Sequence, residues 1–247
     1  MGTKISSNQD FYKEHYKKRY VRCEKEKQAS YLLSSLRGLY FQRGKKVLDV
    51  GCGIGTLGKE IKRRNSPYVY GIDISEVGIK YARSEGIKAK IADIEDKWPF
   101  GNDFFDTIVS VQVLEHLINP DHFFMETRRV LKKNGIVIIT TPNLAAWFNR
   151  IIFLLGYQPF FNEVSMIDKT LGLGFSRRLT TNRNPLGHIH VFTLRALEDI
   201  LKFHKFRIME KKGGRVGYFP RYINLLDGLF SKFPSLATDL IIVAKKI

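Results

Sequence analysis

The stretch VLDVGCGIGTLGKE, residues 47–60, constrains the fold more than any other part of the chain. An apolar, β-branched run, KVLDV (46–50), meets glycines at 51, 53 and 55 and passes into a helical pattern, LGKEIKRRN (57–65). Strand, tight glycine turn and helix in that order present backbone N–H groups at a helix start, where α/β proteins hold small polar ligands. The loop admits three readings. A phosphate-binding P-loop needs a Ser or Thr after Gly-Lys to ligate the metal, but Glu60 follows Gly58-Lys59. A dinucleotide loop needs its third glycine at position 56, which is Thr56, so that reading is disfavoured. The remaining pattern is G-x-G-x-G with Asp49 before it on the strand.

The rest of the chain is patterned to match. YVYGIDI (68–74), IKAKIAD (87–93), FDTIVSVQ (105–112) and GIVIITTPN (135–143) read as further strands. Between them SEVGIKYARSEG (75–86) reads as a helix capped by Ser75 and stopped by Gly86, and PDHFFMETRRVLKKNG (120–135) as a helix ending at Asn-Gly. TLRALEDILKFHK (193–205) reads as a helix capped by Thr193, FRIMEKKGG as a strand, and DLIIVAKKI (239–247) as an antiparallel last strand at the sheet edge. Strands alternating with helices predict an α/β fold: a doubly wound, mostly parallel seven-stranded sheet with an antiparallel last strand. Residues 1–45 read as a basic helical extension, 46–247 as one catalytic domain, and about 144–190 as an aromatic insert on the acceptor side.

Each early strand ends in a carboxylate. Asp49 suits a cationic amine, and Asp73, 20 residues past Gly53, suits two ribose hydroxyls. Asp93 ends the third strand, where a carboxylate can accept from an exocyclic amine. Amino acid, ribose and adenine together describe S-adenosylmethionine. The pieces VLDVGCGIGTLG, VYGIDIS, IADIED, FDTIVSVQVLEHL and RRVLKKNGIVIITTPN, in this order, resemble the class I S-adenosylmethionine-dependent methyltransferase superfamily. The resemblance covers residues 46–143. It implies that Asp49, Gly51 and Gly53 hold the methionine part of S-adenosyl-L-methionine, Asp73 and Ile74 the ribose and adenine, and Asp93 and Ile94 the adenine edge. It implies that Gln112 covers the cofactor from the acceptor side. Beyond the core, TTPN, the insert and HIHVFTLRALEDIL look like MetW-type and related small-molecule or glycan methyltransferases.

A sulfonium methyl is already electrophilic, so alignment and exclusion of water supply most of the catalysis, with a base helping an oxygen or nitrogen acceptor. The candidate catalytic residues are His116 in VLEHL and His188 and His190 in GHIHVF, which alternation puts on one face if that run is extended. Glu115 and His116 equally suit a bracing role in their loop. No His, Cys or Asp cluster has metal-ligand spacing, so no metal is expected.

The charge of +17 sits in the flanks: residues 1–46 carry 12 Lys and Arg against 4 acids, 47–143 carry 13 of each, and 144–247 carry 16 against 7. Such flanks either solvate the surface or attract an anionic partner. The chain has two cysteines and no apolar run near the roughly 20 residues of a membrane span, and it reads as cytoplasmic, a monomer or homodimer. WFNRIIFLL is amphipathic enough for peripheral contact with a lipid surface. The leading expectation is a methyltransferase acting at oxygen on a small or carrier-linked acceptor, anionic, glycan or lipid-like. The alternatives are an RNA methyltransferase, supported by charge but lacking an Asn-Pro-Pro-Tyr-type motif, and a cofactor-binding partner subunit without turnover.

Overall fold

A computed structural model describes residues 32, 40–65, 68–180, 183–215 and 221–247. The expected basic extension, 1–45, lies outside the described residues apart from Leu32 and residues 40–45. The elements are β1 (Lys46–Val50), α1 (Thr56–Asn65), β2 (Tyr68–Asp73), α2 (Glu76–Ser84), β3 (Lys88–Ile91), β4 (Phe105–Val111), α3 (Pro120–Val130), β5 (Leu131–Pro142), α4 (Trp147–Leu154), α5 (Leu194–Phe203), β6 (Phe206–Gly214), α6 (Arg221–Phe230) and β7 (Asp239–Lys246). The seven strands form one sheet in the order β3-β2-β1-β4-β5-β7-β6. The chain divides into two compact units, residues 1–110 with 126–137 and residues 111–125 with 138–247, so that β5 starts in the first and ends in the second.

In the first unit β1 pairs in parallel with β2 and with β4, placing Val50 opposite Ile72 and Ser110. Val47, Leu48 and Val50 are fully buried, as a run covered on both faces requires. The glycine turn then reverses the chain into α1, with positive φ at Gly51, Gly53 and Gly55. Ser75 caps α2 by accepting from Gly78 N–H at 3.1 Å, and Gly86 takes the left-handed conformation past its end, as the pattern predicts.

The second unit carries the long insert and the antiparallel β6–β7 pair. Across the chain the structure departs from the sequence reading in three ways. The helix before β5 stops at Val130, and the strand begins at Leu131 rather than at Gly135. Asn134 has φ 63°, so the Asn-Gly pair shapes a bend inside the strand instead of ending a helix. The last strand, β7, lies between β5 and β6, so the edge belongs to β6. That fits its burial: Asp239 to Ala244 are all buried, whereas β6 alternates with exposed residues. Finally, the insert builds a small core of its own. Phe148 and Ile152 of α4 pack with Trp147, Phe160 and Phe161, and the buried Asn149 side chain donates to Leu144 O and Phe160 O while accepting from Phe160 N–H.

Close packing of the glycine turn supplies a stability test. A Cβ on Gly78 would stand 2.9 Å from Gly53 O, a backbone atom that cannot swing away. We expect Gly78→Ala to cost about 1–3 kcal/mol in guanidinium unfolding.

Candidate active site

In the first unit one predicted carboxylate ties the glycine turn to the next helix. Asp73 is buried at the end of β2, where its Oδ2 accepts from Gly53 N–H and its Oδ1 from Ser75 N–H, each at 2.8 Å. One side chain thus fixes both the glycine turn and the entry to α2. Gly51 and Cys52 N–H donate to Ile72 O at 2.9 and 3.0 Å, which holds the turn against β2. Cys52 is buried and fills the space that Gly71 leaves open, since a Cβ there would stand 2.7 Å from its sulfur. Asp49 is buried on β1, one register step from Ile72 and opposite Gly71. Asp93 follows β3 and accepts from Glu95 N–H at 3.0 Å, which makes it the turn-forming residue of its loop. Ile74 and Ile94 are partly exposed, and Ile94 O accepts from the Trp98 indole at 3.1 Å.

The second unit holds Gln112, His116, His188 and His190. Gln112 has φ 54°, its N–H donates to Thr140 O at 3.0 Å, and its side chain reaches Thr140 Oγ1 at 3.4 Å. His116 and His188 come together, with ring centroids 5.0 Å apart. His116 Nδ1 lies 3.1 Å from Gly187 O and His188 Nδ1 3.0 Å from Phe161 O. A carbonyl only accepts, so each Nδ1 carries the hydrogen and each Nε2 keeps its lone pair in the neutral ring. Burial pulls the His188 imidazole down to about 4. His190 is exposed, with Nε2 3.3 Å from Ile118 O. The run 183–192 is irregular rather than a strand, so His188 and His190 take different partners instead of sharing a face.

Three acidic residues beyond the predicted set shape this unit. Glu115, fully buried beside His116, accepts from Thr141 Oγ1 at 3.0 Å, and burial pushes its carboxyl up to about 8. Its backbone oxygen accepts from Ile189 and His190 N–H at 2.7 and 3.1 Å. Glu163 accepts from Leu186 N–H at 2.7 Å and Gly187 N–H at 2.9 Å, so the segment bearing His188 is clamped from two sides. Asp239 is pushed up to about 7, first by burial and then by Asp227; a bond with the Gln112 side chain opposes the shift. The only sequence signal for these groups was the carboxylate itself at an apolar position, which does not say what it faces.

A family model described as a methyltransferase domain matches residues 18–211. The chain belongs to that family. The chain is similar to the ubiquinone biosynthesis O-methyltransferase of Neisseria meningitidis serogroup C, 33% identical over 108 residues, 41% of this chain and 45% of that protein. It is also similar to the cyclopropane-fatty-acyl-phospholipid synthase of Escherichia coli K12, 34% identical over 140 residues, 51% of this chain and 36% of that enzyme. The matches therefore span under half the length of these relatives. Among solved structures, a SAM-dependent methyltransferase of Thermotoga maritima superposes with a TM-score of 0.60 at 15% identity, over 97% of this chain and 98% of that one. The chain accordingly shares the fold of a structure described as an S-adenosylmethionine-dependent methyltransferase. Its residues suit such a cofactor in kind, since Asp73 places a buried carboxylate, a hydroxyl acceptor, directly against the glycine turn.

The buried Asp239 gives a pH test. Asp227, Gln112 and, at longer range, Glu115 face it. Its proton is held to about pH 7 in the folded protein but only to the ordinary 3.8 in an unfolded chain. Stability from this group is therefore full below pH 3.8 and lost as pH rises to about 7. Asp239→Asn should flatten that fall, by up to about 1.4 kcal/mol per pH unit, in unfolding titrations at pH 5, 6 and 7.

Proposed function

We propose that the protein transfers the methyl group of S-adenosylmethionine to an oxygen of a small or carrier-linked acceptor with a lipid-like part. The single observation that carries the cofactor side is the Asp73 bridge between Gly53 and Ser75. It pre-positions a buried carboxylate for the ribose hydroxyls before any ligand arrives, which lowers the ordering cost of binding. Asp49, Gly51 and Gly53 would hold the methionine part, Ile74, Asp93 and Ile94 the adenine, and Gln112 would bound the acceptor side. When bound, the cofactor supplies a methyl group already activated by its sulfonium.

What remains for the chain is to hold the acceptor oxygen in line, keep water out and manage one proton. His116 and His188 are the imidazoles suited to that proton, because their rings lie together and each bonds a backbone carbonyl through Nδ1. His190, exposed and turned to Ile118 O, is the weaker third. The acceptor class draws on two observations. One relative is named as an O-methyltransferase and another as a fatty-acyl-phospholipid synthase. Helix α4 also leaves Ile151, Phe153 and Leu154 exposed beside Arg150, a surface suited to peripheral contact with a lipid-linked substrate. No helix among the described residues is long and apolar enough to cross a membrane.

Calorimetric titration tests the reading. S-Adenosylmethionine and S-adenosylhomocysteine should bind wild type with micromolar affinity, and NAD should not. Asp73→Ala, checked for folding by circular dichroism, should weaken both by roughly 10-fold to 100-fold, the loss of one or two charge-assisted bonds. Binding of NAD in place of the sulfur nucleotides would overturn it.

A further inference from the structure

Residues 115 and 116 lie some 70 positions from residue 188, yet Glu115, His116 and His188 each bring a donor atom within 4.8 Å of the other two. Glu115 Oε1 stands 4.0 Å from His116 Nε2. Although Glu115 is fully buried, this oxygen has no hydrogen-bond partner among the described residues. A buried carboxylate oxygen without a donor is costly, and such an atom marks a place where a proton donor or a cation is expected.

The surroundings are those of a ligand site rather than of a brace. Metal-bound histidines usually give their other ring N–H to a carbonyl or carboxylate, which fixes the tautomer and the ring orientation. Both histidines do so, His116 to Gly187 O and His188 to Phe161 O. The third ligand is held in the same manner, since Thr141 Oγ1 occupies Glu115 Oε2 and leaves Oε1 toward His116. The loops carrying these groups are tied in turn. Glu115 O receives the amides of Ile189 and His190, and Glu163 receives those of Leu186 and Gly187. Donors around a tetrahedral first-row cation lie roughly 3.4 Å apart at bond lengths of about 2.1 Å. Small side-chain rotations therefore close the present gaps.

We propose that Glu115, His116 and His188 form a site for a divalent first-row transition cation of the zinc, cobalt or manganese class. Two imidazoles and one carboxylate select such ions over magnesium and calcium, which favour all-oxygen shells. Three protein ligands leave at least one position for water or for a substrate oxygen. The proposal concerns the same imidazoles that the proposed function assigns to the acceptor's proton. It gives them a different use and rests on that reading only for what fills the open position. Cation binding itself is independent of methyl transfer.

The test uses the full chain, stripped with a chelator and dialysed metal-free. Titration with cobalt chloride, read by visible d–d absorption and by calorimetry, should show one Co²⁺ per chain, displaced by zinc chloride and little affected by magnesium. Glu115→Gln keeps the shape of the side chain and a partner for Thr141, and it should weaken Co²⁺ at least 10-fold. His188→Ala should do the same, while S-adenosylhomocysteine binding stays unchanged in both variants. Failure of wild type to bind Co²⁺ or Zn²⁺, or equal affinity in both variants, overturns the site. Because nucleotide binding is read separately, its loss in wild type would count against the proposed function and not against the cation site.

Discussion

The carboxylate of Asp73 is the point on which the first unit turns. A glycine loop with three positive φ angles in five residues has little of its own to hold it in one conformation. Two buried charge-assisted bonds, to Gly53 and to Ser75, supply what the loop lacks. They also set the start of α2, because Ser75 is its N-cap and Gly78 lies directly against Gly53 O. The parallel pairing of β1 with β2 brings these partners into register, so loop, strand and helix depend on one another. The group that orders the loop is the same group proposed above for the ribose.

The second unit is organised by a different constraint, the concentration of acids in an apolar interior. Glu115, Asp227 and Asp239 are all buried, and Glu115 and Asp239 are raised toward neutrality by burial. Asp227 takes donors from Trp147 Nε1 and Thr238 Oγ1, and through Trp147 it anchors the start of the aromatic insert. Trp147 stacks on Phe230 of α6, with centroids 5.0 Å apart, so the insert and a C-terminal helix share one packing layer. Burying carboxylates with few donors costs free energy that a purely apolar core avoids. Such costs are common where a protein keeps polar groups for a ligand rather than for stability.

The sequence was most informative where a residue's role is local. The Ser75 and Thr193 caps accept from the amides three residues on, and Gly86 adopts the left-handed conformation its position demands, because capping involves only near neighbours. The strands β1 and β4 were legible because a run buried on both faces is apolar nearly throughout. Periodicity failed at 131–135, where Leu131, Lys132 and Lys133 continue a helical pattern but Asn134 and Gly135 bend a strand instead. Lys132 shows the tertiary reason: its amine bonds Asp106 at 2.9 Å, a partner 26 residues away that the local pattern cannot express. The helix Arg221–Phe230 went unassigned for want of a cap signal before it. The edge position went to β6 rather than β7 because strand order is a property of the whole sheet.

By itself, then, the sequence determined the fold class, the glycine turn and the carboxylates at or just past the ends of the first three strands, since each follows from short-range patterns of backbone and burial. The meeting of Glu115 and His116 with His188 was decided by tertiary structure alone. Their spacing of about 70 residues carries no periodic signal, and the groups meet only because Glu163 and the Glu115 carbonyl draw the segment 186–190 back over the turn at 114–116.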